Sequence, residues 1–518
     1  VLHAAAVSGD QLVGAGRDAL AGPGLSEVQV VDGQVPLDRL AAIEPRAGKV
    51  ADRAKAASRR LSSARSSWLL PPLFDRLDGE LTRVRKVEST TRVVHEALTA
   101  LPGLLGQGGP RRYFLAVQTP VESRAGGGFL GNFGEITADN GRLRLSRFGR
   151  QDALTQAPGR EQRVLKAPED FTARYARFRP EYTWANVNLS PDFPTDAGVM
   201  AGLYPQSSGA PVDGVIAIDP AVLAAVLKLV GPIEVPAWPT PITADNALQV
   251  LLYDQYQRYP TSDLRVDFLG DVAQEAWRRL TTGGLPPVPQ LVASLGPAIA
   301  QKHLFLSSVR PDEQRLFDDM GATGRIAPVD GDFIGLVTQN AGGNKIDYFL
   351  RRTVDYRAQL DPGTGRLEAT ATVTLRNDAP ATGVSLGLIG NEVVPPLPNG
   401  TNKLYLSFYT PWDLIGSRLD GNDVGFERAK ELGRRVYSTA VIIPPKATVT
   451  VELKLSGRLP DSDAYRLDIY RQPMVAADDV STTLALATGW RTGTGPTTLT
   501  TARQLQSDAT LEVPLRRR

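Results

Sequence analysis

The hydrophobic period of this chain changes twice, and those changes constrain its folding more than any other feature. From Leu37 to Leu101 apolar and Ala positions recur every three and four residues, through RLAAIEPRAGKVADRAKAASRRLSSA and again through LFDRLDGELTRVRKVESTTRVVHEALTAL. That spacing lines one face of a helix. The breaker pair Pro71-Pro72 separates the runs, so two long antiparallel helices are expected. Arg53, Arg59, Arg60 and Arg65 on the first read as a solvated face. GQGGPRR at 106–112 reads as a linker.

Beyond it the pattern mixes. Tyr113 to Val117 has strand composition, FLGNFGEITADNGRLRLSRFGR reads as strand, Asp-Asn-Gly turn and strand, and DGVIAID at 213–219 reads as a buried strand. Helical patterns follow at 220–230 and 265–280. Strands alternating with helices predict a layered α/β domain, with a mixed sheet because a hairpin precedes the crossovers. From Tyr348 apolar and polar residues alternate with turn signals roughly every ten residues, the pattern of an antiparallel sandwich. The Thr/Gly-rich approach at 490–501 and the closing Arg-Arg-Arg read as a solvated tail. The expected architecture is therefore α/β: a layered α/β/α core with a mixed sheet, preceded by an α-helical hairpin and followed by an all-β sandwich. Its expected spans are a helical stalk region at 1–105, the α/β domain at 113–340, the sandwich at 345–490 and a tail at 491–518. Three domains suit 518 residues at about 150 per domain.

Composition narrows the chemistry. The chain has no cysteine, which excludes disulfides, Cys-ligated zinc, iron–sulfur clusters and thiol nucleophiles. His3, His95 and His303 lie far apart in sequence, which argues against a Ser-His-Asp triad. What remains is Arg, carboxylates, amides and hydroxyls, and 47 of the 58 basic residues are Arg. The formal charge of +2 gives no global field for nucleic acid, so no nucleic-acid partner is expected and any polyanion site must be local. No apolar run is long enough to cross a membrane.

Four polar clusters fall inside the α/β segment. Glu122-Ser-Arg124 with Gly126-Gly127-Gly128 places glycines beside a carboxylate and an Arg, either a tight bend or an anion nest. Arg147, Arg150 and Asp152 end a strand, where open α/β sheets place ligands. Tyr253-Asp254-Gln-Tyr256-Gln-Arg258 through Asp263 and Arg265 precedes a helix whose N-terminus favours anions. Asn186-Val-Asn188-Leu-Ser190-Pro-Asp192 is rich in Asx-turn residues.

The order ESRAGGGFLGNFGEITADNGRL, NVNLSPDFPTDA, PVDGVIAIDPAVLAAVLKLVGPIEVP, ITADNALQVLLYDQY and QNAGGNKIDYFLRRTVDY resembles a family of actinobacterial cell-envelope proteins catalogued as a domain of unknown function. Residues 113–300 are also similar to the LytR-CpsA-Psr fold, whose members transfer glycopolymers from a polyprenyl-pyrophosphate carrier to peptidoglycan. Glu122-Ser-Arg124 matches that family's early Arg-Ser-Asp pattern with altered order and no Asp. Gly149-Arg150-Gln-Asp152 matches its Pro-Arg-Asp-Thr with an insertion, and Arg258, Asp263 and Arg265 fall at its Arg-x-Arg and Asp-Phe-Gly-Arg positions. Its later Arg-Gln pair is not visible.

The resemblance implies that Arg124, Arg150, Arg258 and Arg265 clamp a pyrophosphate while Asp152, Glu122 and Asp254 hold Mg²⁺. It implies a polyprenyl-(pyro)phosphate glycolipid and a cell-wall polysaccharide or peptidoglycan as partners. It further implies an extracytoplasmic protein anchored to the membrane by a helix preceding Val1. Two alternatives are carried with it: a non-catalytic glycolipid- or glycan-binding envelope protein, and a glycoside hydrolase drawing on Glu122, Glu135, Asp152 or Asp192. Arg351, Arg352, Tyr405 and Trp412 of the sandwich read either as a glycan surface or as ordinary packing.

Overall fold

The computed structural model describes residues 30–63, 71–208, 210–236, 238–282, 288–391, 393–493 and 495–517. The first 29 residues of the expected stalk, and Arg65, lie outside them. Helices α1 (Leu37–Ser63) and α2 (Pro71–Leu104) form the expected antiparallel pair. Leu40 and Ile43 near the start of α1 pack on Leu98 near the end of α2, and Ala57 and Leu61 pack on Leu81 and Val84. Arg59 and Arg60 are exposed as expected, whereas Arg53 is half-buried. The pair is tied to the domain that follows: Val35 donates to the Gly141 carbonyl at 2.9 Å, Tyr113 Oη to the Leu104 carbonyl at 2.6 Å, and Arg92 pairs with Asp319 at 2.6 Å.

A five-stranded mixed sheet follows, in the order β3-β2-β1-β4-β5, formed by β1 (Arg111–Thr119), β2 (Phe129–Asp139), β3 (Arg142–Arg150), β4 (Gly214–Ile218) and β5 (Leu304–Ser308). Asn140 and Gly141 turn β2 into β3 with φ of 45° and 84°, the positive pair that a tight hairpin demands. β1 and β4 are parallel and the other pairings antiparallel. Helices α3 (Phe193–Ser208), α4 (Pro220–Val230), α5 (Ser262–Thr282) and α6 (Val288–Ala300) accompany the sheet. Asp219 caps α4 by accepting from Ala221 N–H at 2.8 Å, and Pro220 occupies its first position.

The two faces of this sheet differ. Phe114, Ala116, Leu130, Phe133, Val215, Ala217 and Phe305 point to one side and are 0–4% exposed, packed on α3 and on Trp184. Each fully buried large side chain there is worth about 1.5–3 kcal/mol. On the other side, strand register aligns Leu115 with Ile216, Ile216 with Leu306 and Val117 with Ile218, and Val117, Ile136, Leu145, Ile216, Ile218, Leu304 and Leu306 are only half-buried. The helices on that side make their own cluster from Ala224, Leu227, Val250, Phe268 and Val272, in which no strand residue takes part.

The C-terminal part is a sandwich of two seven-stranded sheets. The strands read from alternation appear where expected: β7 (Leu350–Asp361), β8 (Arg366–Asn377), β9 (Asn402–Thr410), β13 (Arg434–Ile443), β14 (Thr448–Arg458) and β15 (Ala464–Tyr470). Three expectations are corrected. The sandwich is not purely antiparallel, because β6 (Asp332–Asn340) lies parallel to β15 and β16 (Asp478–Leu486) parallel to β7. β6, expected inside the α/β segment, is a central sandwich strand. Residues 491–518 are no tail: β17 (Trp490–Thr492), β18 (Thr498–Leu505) and β19 (Ala509–Arg517) complete both sheets, and Leu505, Val513 and Leu515 enter the core. With β10 (Asp413–Leu419), β11 (Asn422–Asp423) and β12 (Glu427–Glu431), the two sheets are ordered β11-β10-β14-β8-β7-β16-β18 and β12-β13-β9-β6-β15-β19-β17.

Candidate functional site

Parallel β1 and β4 adjoin at the centre of the first sheet, and the chain leaves them in opposite directions, from β1 to the β2 side and from β4 toward β5. Open sheets present a ligand crevice at the carboxyl ends of such strands. Here that edge carries the Glu122–Gly128 loop, the end of β3 and the start of α5.

The glycines of the loop serve the protein's own packing. A Cβ on Gly126 would stand 2.2 Å from Asp196 Oδ2, one on Gly127 2.5 Å from Gln118 Oε1, and one on Gly128 2.6 Å from the Thr119 backbone. Gly126 and Gly127 N–H groups donate to the Asn188 and Arg124 carbonyls at 3.3 and 3.2 Å. The bend reading therefore holds over the anion nest. Arg124 is likewise spent: it is 8% exposed, burial holds it below the ordinary arginine value, and it donates to the carbonyls of Ser123 and Asn340, each at 3.0 Å. The role implied for Arg124 as a phosphate clamp is corrected to that of a strut between the loop and the sandwich.

Asn188, Ser190, Asp192 and Asp196 are also buried at that junction. Ser190, Tyr175 and Tyr409 donate to Glu431 at 2.7, 2.9 and 2.7 Å, and Arg174 lies 3.3 Å from it. On the sandwich side, Arg352 is clamped by Asp478 at 2.7 Å and Trp412 Nε1 donates to Asp332 at 2.6 Å. Tyr405 donates to Glu427 at 2.7 Å. Packing thus accounts for these three positions, and Arg351 stays half-exposed.

Five groups remain around the crevice mouth. Glu122 is buried and ion-paired to Lys345 Nζ, with Arg124 Nη2 3.6 Å from its other oxygen. Burial acts to lower Lys345, but Glu122 outweighs it and raises the ammonium above its ordinary value. Tyr256 is buried between Lys345, Glu122 and Arg265, and its hydroxyl is pushed up by burial. Arg265 is half-buried and donates to the Tyr259 carbonyl at 2.8 Å. Burial, and then the guanidinium of Arg150 beside it, hold Arg265 below the ordinary arginine value against the pull of Tyr256. Arg150 is 36% exposed and pairs with Asp152 at 2.6 Å, with Asp263 at 3.9 Å. Arg150 reaches Asp263, two residues before Arg265 on α5, so both guanidiniums lie at this edge, where planar donor forks suit an oxyanion.

The structure separates the other implied residues from this mouth. Arg258 is exposed and lies over the Trp238 and Tyr259 rings at 5.6 and 5.8 Å. Asp254 accepts from Gln249 Nε2 at 2.9 Å. Asp152, Glu122 and Asp254 each face a different partner, and among the described residues no three acidic or His side chains gather to hold a metal ion. The donor set does not fit Mg²⁺ held by protein carboxylates. Glu135 is engaged by Arg112 at 3.0 Å and Tyr204 at 2.9 Å, and Asp192 accepts from Thr195 and Ile326 inside the junction, so paired hydrolase carboxylates do not form either. Sequence reasoning missed Lys345, and it placed Tyr256 in a polar cluster without giving it a role. Both lie in quoted motifs, QNAGGNK and LLYDQY, but only the fold carries Lys345 across more than two hundred residues to Glu122.

Below the mouth runs the half-buried apolar face of the sheet, opposite a helical layer that packs on itself. Half-buried aliphatic side chains thus line the sheet face that runs to this edge. Among the described residues no helix is long and apolar enough to cross a membrane.

Residues 108–256, which include β1 to β4 and Tyr256, match a family described as protein of unknown function (DUF4012). A search of curated proteins finds no match. Among solved structures, a Legionella pneumophila protein described as nutrient binding is similar at 10% identity and TM-score 0.24, over 36% of this chain and 71% of that one. A Bacillus subtilis protein described as the transcriptional regulator yvhJ is similar at 10% identity and TM-score 0.21, over 40% and 76%. An M1 zinc metallopeptidase from Deinococcus radiodurans is similar at 12% identity and TM-score 0.19, over 34% and 42%. At these scores the likeness assigns no function.

Proposed function

We propose that the protein binds a polyprenyl-(pyro)phosphate-linked glycan on the extracytoplasmic side of a membrane, as the LytR-CpsA-Psr resemblance implies. The observation that carries this reading is the placement of Arg150 and Arg265 at one edge of a half-buried apolar sheet face, Arg150 reaching Asp263 on the helix that bears Arg265. The phosphates sit on the two guanidiniums, whose planar donor forks match phosphate oxygens. The isoprenyl chain covers Val117, Ile216 and Leu306, and removing apolar surface from water supplies about 25 cal/mol per Å². The glycan extends past the mouth toward solvent.

A second reading, transfer to a cell-wall hydroxyl, is favoured by Asp152, a carboxylate 48% exposed beside Arg150. The acceptor oxygen forms a bond to the sugar-bearing phosphorus as the phosphoanhydride bond to the lipid phosphate breaks. The hydroxyl proton passes to Asp152, and the lipid phosphate leaves with the bonding electron pair under cover of Arg265. Native mass spectrometry with a long-chain isoprenyl pyrophosphate tests binding. One ligand per chain, lost in Arg150→Gln with Arg265→Gln, is expected; undiminished binding in that double variant refutes the proposal. Release of isoprenyl phosphate from a glycan-bearing carrier, abolished by Asp152→Asn with binding kept, separates transfer from binding alone.

A further inference from the structure

A cavity of about 540 Å³ lies between the first sheet and the sandwich, and neither Arg150 nor Arg265 lines it. Pro120 and Asp219 on its wall directly follow β1 and β4. The space therefore sits at the carboxyl ends of the parallel central pair, where open sheets bind ligands. Its volume falls in the range of small-ligand sites.

The charges around it are already matched by the protein. Asp219 Oδ2 lies 2.6 Å from His303 Nδ1. Burial holds Arg471 below the ordinary arginine value, while Asp478 first, then Asp219 and Asp508, favour its charge. Its guanidinium donates to the Leu505 carbonyl at 3.2 Å and to the Gln301 carbonyl. Arg351 donates to the Tyr348 and Leu350 carbonyls at 3.1 and 2.9 Å and lies 4.0 Å from Asp378. With Asp479 on the wall as well, a ligand of either sign would meet a repelling charge beside each attracting one. A neutral ligand meets no such penalty.

What the wall still offers is hydrogen-bonding capacity of both kinds. Gln506 Nε2 donates to Gln504 Oε1 at 2.9 Å, which leaves the Gln504 N–H groups and the Gln506 carbonyl oxygen for another partner. The side chains of Gln301 and Asp479 have no partner among the described residues. Apart from His303 and Tyr348, the polar side chains that line the cavity are carboxylates, guanidiniums and carboxamides, with no lysine, serine or threonine among the described residues. Each of these groups presents at least two hydrogen-bonding atoms in one plane. Two adjacent ring hydroxyls, each both donor and acceptor, match that pattern better than a single polar point. Leu248, 42% exposed, and Met474 supply an apolar side for the C–H face of a ring.

We infer that this cavity binds a neutral sugar, with its ring hydroxyls on the glutamine amides and Asp479 and its C–H face on the apolar side. The inference does not rest on the isoprenyl reading, because a free saccharide fills the cavity without Arg150 or Arg265.

Calorimetry and saturation-transfer NMR of the full chain with the methyl glycosides of glucose, galactose, mannose and arabinose test it, with ¹⁵N-histidine spectra reporting on the His303 ring at the wall. At least one glycoside is expected to bind with a millimolar or lower Kd and to shift the His303 signals. Glucuronate, which carries a charge, and triethylene glycol, which is neutral but has no ring hydroxyls, are expected to bind at least tenfold more weakly. Gln504→Met with Gln506→Met keeps side-chain length at two exposed positions and removes both amides; a loss of at least tenfold in affinity with the thermal midpoint unchanged is expected. Asp479→Ala, also at an exposed position, gives the same direction if the double variant folds poorly. Binding of none of the four glycosides, equal binding of glucuronate or triethylene glycol, or undiminished binding in a folded variant overturns the inference.

Discussion

The sharpest structural prediction concerns the unequal faces of the first sheet. Leu130 is 0% exposed within the core that holds Phe114, Phe133 and Trp184. Leu130→Ala removes buried carbons and leaves a cavity, a change that costs about 2–5 kcal/mol. Leu306, on the opposite face of the same sheet, is half-buried where the proposed crevice runs. Leu306→Ala therefore forfeits about half the transfer energy of three carbons and opens no new void, so the cost is roughly 1 kcal/mol. Native-state hydrogen exchange, read on amides of β1 and β4, measures both values in one domain without requiring the whole chain to unfold in one step. Equal losses for the two substitutions would refute the crevice, because they would show that the helical layer closes on the sheet.

Three further outcomes follow from the junction between the α/β domain and the sandwich. Gly128→Ala, at φ 139° with its Cβ 2.6 Å from the Thr119 backbone, is expected to destabilise the chain by at least about 1–3 kcal/mol of backbone strain; an unchanged thermal midpoint would contradict this. Glu431→Leu removes the acceptor shared by Ser190, Tyr175 and Tyr409 and leaves the buried Arg174 uncompensated, a loss of about 3–5 kcal/mol measurable by chemical denaturation. Burial first, then the neighbouring Glu431 and Asp192, push the Asp196 carboxyl well above its ordinary value despite the Ser190 N–H. The folded state then holds that proton more tightly than the unfolded chain, so the stability it contributes is complete below about pH 4 and falls as pH rises toward the folded value. Asp196→Asn is expected to exceed the wild type in thermal stability at pH 7 and to match it below about pH 4; the opposite slope would refute the assignment.

The legibility of the fold in sequence follows the range of the forces involved. Strands β7, β8 and β14 alternate between core and solvent, so a local pattern located them. β18 lies at a sheet edge with only Leu505 buried, and its Thr-rich text carries little apolar signal, which is why it read as a tail. The parallel pairings β6/β15 and β7/β16 join segments more than a hundred residues apart, beyond any local pattern. Arg150, Asp152 and Arg265 stood out as candidates because each ends a strand or starts a helix, and the structure places Arg150 2.6 Å from Asp152 and 3.9 Å from Asp263 near the start of the helix that bears Arg265. Arg124 misled because nothing local distinguishes a buried strut from a ligand arm. His303 and Asp219 looked unrelated until adjacent strands β4 and β5 brought them to 2.6 Å.

In the proposed complex an isoprenyl chain lies along the half-buried face of the first sheet with its phosphate on Arg150 and Arg265. Photo-crosslinking with a long-chain isoprenyl phosphate carrying a diazirine in the tail tests it most directly, with labelled peptides mapped by mass spectrometry. Adducts are expected on β1, β4 and β5 at Val117, Ile216 and Leu306, competed by unlabelled isoprenyl phosphate and lost in Arg150→Gln with Arg265→Gln. Adducts confined to the helical pair or the sandwich, or labelling of the sheet that the double variant leaves intact, would contradict it.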